Sequence, residues 1–178
     1  NLSTDLGSLN PVFAAGTFDY TVDLPYGTTE TPAVTAEPTN ANANAVVTDA
    51  TDVTSATDAD RTTTITVTAQ NGSTQDYTIL FNVAPSDAKE LTSFSFVNPA
   101  VNGVITEVDH TVAVEVPFNT DVTALIANFV STGNEVKVGA TTQTSGTTPN
   151  NFTNPVTYTV VAADVSTQDY IVTVTIAA

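Results

Sequence analysis

Polar and apolar residues alternate along this chain in short runs. In "QDYTILFNV" (75–83), Tyr77, Ile79 and Phe81 fall on one side at period two, and in "QDYIVTVTI" (168–176) Tyr170, Val172, Val174 and Ile176 do the same. Such alternation marks a half-buried strand. Thr and Val dominate, turn residues punctuate the chain, and no long apolar stripe of helical period appears. The pattern predicts strands over 17–24, 32–37, 44–48, 62–69 and 75–83, then over 91–97, 110–116, 123–130, 134–139, 155–163 and 168–177. "DVTALIANF" (121–129) has room for one helical turn, but its Val and Thr content opposes it. The fold expected is all-β: two tandem Ig-like antiparallel β-sandwiches.

The tandem comes from an internal repeat. "STQDY" stands at Ser73–Tyr77 and again at Ser166–Tyr170, 93 positions on. Around it, "TTITVTAQNGSTQDYTILFNVA" (63–84) lies over "VTYTVVAADVSTQDYIVTVTIA" (156–177), and upstream "YTVDLPYGT" (20–28) lies over "VAVEVPFNT" (112–120). A period of about 90 residues exceeds the roughly 20–50 of solenoid repeats and fits whole domains. The domains are expected at 1–85 and 90–178, with Pro85, Ser86 and Asp87 breaking the strand between them. In each copy the Tyr is read as the first inward anchor of the closing strand, and Asp76 and Asp169 as partners of turn backbone.

Charge narrows the surroundings. Nineteen acidic residues face three bases, Arg61, Lys89 and Lys137, for a net charge of -16. That argues against nucleic acid or an anionic membrane as partner, since both need a basic face, and with no run of about 18 apolar residues no direct membrane insertion is expected. Cysteine is absent, so neither a disulfide nor a thiolate metal site forms. The chain opens at Asn1 rather than Met, as expected of a processed product or a segment of a longer protein.

Three chemistries compete for the polar residues. The loop "TDATDVTSATDAD" (48–60) supplies Asp49, Asp52, Asp58 and Asp60, oxygen donors of the kind calcium takes, although it lacks the Gly and terminal Glu of a helix-loop-helix site. Calcium is therefore a possible cofactor, and no other is implied. For a glycan, Tyr26 and Phe118 follow the matched prolines as platforms, and Gln143, Asn150 and Asn151 in the long loop 139–155 offer amides. Aromatic residues at such positions also serve as core packing. For catalysis the only histidine, His110, opens a strand, and no phosphate loop, His cluster or nucleophile elbow accompanies it. No enzyme is expected. Glycosylation sequons stand at Asn1, Asn71 and Asn151.

Two families are resembled. "LGSLNPVF", "YTVDLP", "VTAEPTNANANAVV" and "ITVTAQNGSTQDYTILF" make residues 2–84 resemble the cadherin-like β-sandwich domain of bacterial surface proteins. "ITEVDHTVAVEVPFNTDVTALIANF" and "TQTSGTTPNNFTNPVTYTV" make the second half similar to an Ig-like domain of surface lipoproteins and secreted carbohydrate-active proteins of Gram-negative bacteria. Val165 stands where that family often has Gly. The resemblance implies an exterior location and a non-catalytic role. The first expectation is a structural or adhesion module, a spacer or stalk segment whose partners are neighbouring domains or subunits of one surface assembly. The alternatives are a surface glycan-binding module, with polysaccharide as partner, and a calcium-stiffened adhesin.

Overall fold

The computed structural model describes residues 1–178, which form strands, turns and loops without a helix. No helix is long and apolar enough to cross a membrane. The chain divides into two compact units, Asn1–Pro85 and Ser86–Ala178.

In the first unit the strands are β1 (Leu2–Thr4), β2 (Asp19–Leu24), β3 (Val34–Ala36), β4 (Asn44–Thr48), β5 (Thr62–Thr68) and β6 (Thr74–Val83). One sheet runs β2-β6-β5-β4, and β1 pairs with β3 to form the second. The alternation explains the burial. Tyr20, Val22 and Leu24 of β2 meet Ile79 and Phe81 of β6 and Ile65 of β5 in one core, closed by Leu2.

The second unit has ten strands: β7 (Leu91–Phe96), β8 (Val101–Asn102), β9 (Val104–Thr106), β10 (Thr111–Val116), β11 (Leu125–Ser131), β12 (Glu135–Val138), β13 (Thr141–Thr142), β14 (Pro149–Asn150), β15 (Val156–Val161) and β16 (Thr167–Ile176). Their sheets run β13-β12-β15-β16-β10-β9 and β14-β11-β7-β8. The core is aromatic. Phe94 sits edge-on to both Phe96 and Tyr158, and Phe96 edge-on to Phe152, with ring centroids 4.9–5.6 Å apart. Such pairs add about 0.5–1.5 kcal/mol each beyond their buried area.

Both units are β-sandwiches, with one departure from the all-antiparallel expectation. In each unit one pair is parallel: β2 with β6, and β10 with β16. Parallel pairing needs a long crossover. Here it is supplied by the strands that leave for the opposite sheet and return before the closing strand. Residues 121–129 hold a turn followed by β11, and no helical turn.

The repeated pentapeptide builds the same device twice. Ala69 N–H bonds Ser73 O, and Ala162 N–H bonds Ser166 O, each at 2.8 Å. The turn is capped by Asn71 Oδ1, which accepts from Ser73 N and Oγ, and by Asp164 Oδ1, which accepts from Ser166 N and Oγ. Hydrogen bonds from Ser166 hold the Asp164 carboxyl below its ordinary pKa. Asp76 and Asp169 do not cap the turn as the sequence reading had them. They accept from Thr66 Oγ1 (2.7 Å) and Thr159 Oγ1 (2.6 Å) on the adjacent strand, which the antiparallel register sets directly opposite. The Tyr residues differ. Tyr170 is fully buried and its hydroxyl donates to Glu107 Oε2 at 2.8 Å, whereas Tyr77 is half-buried against Phe13 and Phe18.

The turn also requires one residue in the left-handed region. Gly72 takes it with φ 85°, and Val165 takes it with φ 65° although β-branched and 81% exposed. A Cβ there costs about 1–2 kcal/mol, and Val165→Gly removes it while loosening the unfolded chain by about 0.4–1 kcal/mol. Val165→Gly is therefore expected to raise the stability of the second unit by about 0.5–1 kcal/mol, measured by thermal denaturation. A lower stability would show that the left-handed valine carries no strain.

Candidate functional site

The turns after β2 and β10 are built alike. In the first, Thr28 N–H and Oγ1–H both bond Pro25 O, at 3.2 and 2.8 Å; in the second, Thr120 N–H and Oγ1–H bond Pro117 O, at 3.2 and 2.7 Å. Gly27 (φ 82°) and Asn119 (φ 62°) supply the positive φ at the third position that this turn demands. Proline ends the strand, and the residue after it is carried away from the core. Tyr26 is thus 62% and Phe118 68% exposed. Neither ring packs inward, so both predicted platforms are presented to solvent.

Beside Tyr26 lies a groove of about 300 Å³, walled by Tyr26, Thr28, Thr54, Ser55 and Arg61 and floored in part by Val53. Arg61 is committed to the protein. Its Nη1 donates to Phe81 O (3.1 Å) and Asn82 Oδ1 (3.0 Å), its Nη2 pairs with Asp58, and its buried Nε has no partner.

Three of the four carboxylates of the acidic loop are engaged locally. Asp52 Oδ1 accepts from Thr54 N and Oγ1, bonds that lower its pKa. Asp58 is taken by Arg61, and Asp60 Oδ2 accepts from Ser55 Oγ at 2.8 Å. Asp49 is exposed, and no group of three His, Asp or Glu side chains is arranged to hold a metal ion. The loop is also anchored, because Val53 and Ala50 are buried and Ala50 N–H bonds the buried Thr63 Oγ1 at 2.9 Å. Alternating Asp residues signalled a coordinating loop. What they do is shape local turns, as carboxylates within reach of Ser and Thr donors do.

The amide set of the long loop is also divided. Gln143 is buried and spent internally: its Nε2 donates to Thr141 O (3.0 Å) and its Oε1 accepts from Asn150 Nδ2 (2.7 Å). Asn150 Nδ2 also donates to the hydroxyl of Tyr158 (3.0 Å), whose pKa burial pushes up to about 12. These two amides therefore line the core edge and are withdrawn from the glycan set. A buried polar group must be paired, and Tyr158 supplied the demand. Asn151 alone stays outside, accepting from Thr153 N and Oγ1 at 2.9 and 2.6 Å. His110 is half-buried, with its ring edge-on to Tyr170 at 5.4 Å and no nucleophile beside it. Thr54, Ser55 and Arg61 were not candidate glycan residues in the sequence; the turn at Tyr26 and the acidic loop 48–60, read there for calcium, pointed to that place.

Residues 91–174, all in the second unit, match the family described as SGBP, N-terminal, the N-terminal domain of surface glycan-binding proteins. No curated protein matches the chain. Among solved structures, a Bacteroides thetaiotaomicron protein described as a candidate glycoside hydrolase is 24% identical over 53% of this chain, with a TM-score of 0.42. The chain covers 26% of that protein's length. The Bacteroides ovatus surface glycan-binding protein SGBP-B of the mixed-linkage glucan utilization locus, solved with a mixed-linkage heptasaccharide, is 13% identical. That likeness spans 97% of this chain and 71% of the other, with a TM-score of 0.21. The family match lies within the second unit, and the comparisons give no cadherin-like match for the first.

Proposed function

We propose that the chain is a non-catalytic, glycan-contacting part of a bacterial surface glycan-binding protein, displayed at the cell exterior. The match of residues 91–174 to the N-terminal domain of such proteins carries this reading. The exposed aromatic turns at Tyr26 and Phe118 supply surfaces of the required kind, since an aromatic ring with one apolar face and a wet edge suits an amphipathic sugar ring. One observation favours a second reading, a spacer that carries a binding domain elsewhere in the same protein: the loop amides of the second unit turn inward, at Gln143 and Asn150.

Affinity electrophoresis of the purified chain separates the two. In gels holding dissolved polysaccharide, a glycan-contacting chain is expected to migrate more slowly than in blank gels, by a factor that grows with polysaccharide concentration. Equal mobility in every gel would leave the spacer reading in its place.

A further inference from the structure

We propose that the groove beside Tyr26 is a saccharide subsite, and that it takes a neutral sugar residue and rejects an anionic one. This rests on the glycan-binding reading and narrows it to one place and one ligand class.

Three features coincide there. The Tyr26 ring is 62% exposed at the rim, an apolar face for the C–H side of a pyranose. The hydroxyl oxygens of Thr28, Thr54 and Ser55 line the adjoining wall; their protons go to Pro25 O, Asp52 and Asp60, and their free lone pairs are acceptors for sugar hydroxyls. The groove's volume, about 300 Å³, stands at the lower bound of small-ligand pockets. Phe118 occupies the matching turn, but the loop that would have to wall it, 139–155, spends Gln143 and Asn150 inward. The first unit therefore has a walled platform and the second a bare one.

Charge sets the ligand class. Arg61 is the one base of the groove, and both its Nη atoms are already bonded, one of them to Asp58. The loop that gives Thr54 and Ser55 also carries Asp52, Asp58 and Asp60. A uronate or sulfate ester would meet these carboxylates with no free cation, within the roughly 8 Å over which charges act at physiological salt. A neutral hydroxylated ring meets no such opposition.

The test is affinity electrophoresis of the whole chain in gels holding β-glucan, mannan or arabinan as neutral probes, and alginate, polygalacturonate or carrageenan as anionic ones. Retardation is expected with at least one neutral probe and with none of the anionic ones. Tyr26→Ala is expected to weaken it tenfold or more, Tyr26→Phe to keep most of it, and Phe118→Ala to change it less than twofold. Matched melting curves serve as the folding control, which the exposure of Tyr26 makes attainable. Retardation that survives Tyr26→Ala but not Phe118→Ala would overturn the groove and leave the glycan reading standing. Retardation by anionic probes would overturn the neutral class. Equal mobility with every probe would overturn the subsite and the glycan reading together.

Discussion

Asn150→Ala is expected to lower the stability of the second unit by about 2–4 kcal/mol, because it strips a partner from two enclosed groups at once, each costing about 1–3 kcal/mol. Asn150 Nδ2 donates to Gln143 Oε1 and to the Tyr158 hydroxyl, at 2.7 and 3.0 Å. Tyr158 is wholly buried among Phe94, Phe129 and Phe152, so its hydroxyl lies at the edge of an apolar aromatic cluster. The Gln143 side chain keeps only its bond to Thr141 O. Urea denaturation of the full chain, with hydrogen exchange at the amides of β15 and β11 to localise the loss, measures the effect. A cost below about 0.5 kcal/mol would mean that water replaces the amide there. Asn151→Ala, one residue on, removes only exposed hydrogen bonds of a local turn, and a loss of about 0.5–1.5 kcal/mol is expected.

Gly7→Ala is expected to cost the first unit about 2–5 kcal/mol, combining about 1–2 for a Cβ at positive φ with about 1–3 for overpacking. Gly7 has φ 79°, and a Cβ placed on it would lie 2.4 Å from Val22 Cγ1 and 3.2 Å from Asp23 O. Val22 is fully buried in the core, so its methyl has nowhere to turn. The strand it belongs to, β2, is held to β6 along its whole length. Either the loop before β2 lifts or β2 shifts in the sheet. Hydrogen exchange at β2 and β6 amides reports which. Unchanged protection there would show that the loop alone absorbs the methyl.

The parts of this fold that could be read in advance are those fixed by local periodicity. β6 and β16 are ten residues long, and their inward alternation at Tyr77, Ile79 and Phe81 and at Tyr170, Val172 and Val174 shows which side faces the core. β1, β8, β9, β13 and β14 have two or three residues apiece, too few for alternation to show, and they exist because neighbouring strands offer them hydrogen bonds. The parallel pairings were equally out of reach, since nothing in β2 or β10 itself says which strand will lie beside it. Candidate site residues divide by the same rule. Tyr26 and Phe118 follow a proline in a recognisable turn, and the structure exposes both. Gln143 and Asn150 looked like surface amides because a polar loop surrounds them. Their inward bonds depend on Tyr158, which is close in space and belongs to a different strand. Asp52 and Asp60 are spent within their own loop, and residue type alone could not distinguish that from convergence on an ion.

The parallel pairs have a consequence for how the protein bears tension. Tension from the chain ends loads β1 and β7–β9 first; once these give, it drags β2 by its first residue and β6 by its last, and likewise β10 and β16. Because the members of each pair point the same way, the force slides one strand along the other and strains six rows of residues together, Asp19–Leu24 against Thr78–Val83 and Thr111–Val116 against Ile171–Ile176. An antiparallel hairpin pulled from its open end would unzip one row at a time. Each unit therefore meets that tension by shear along its closing strand.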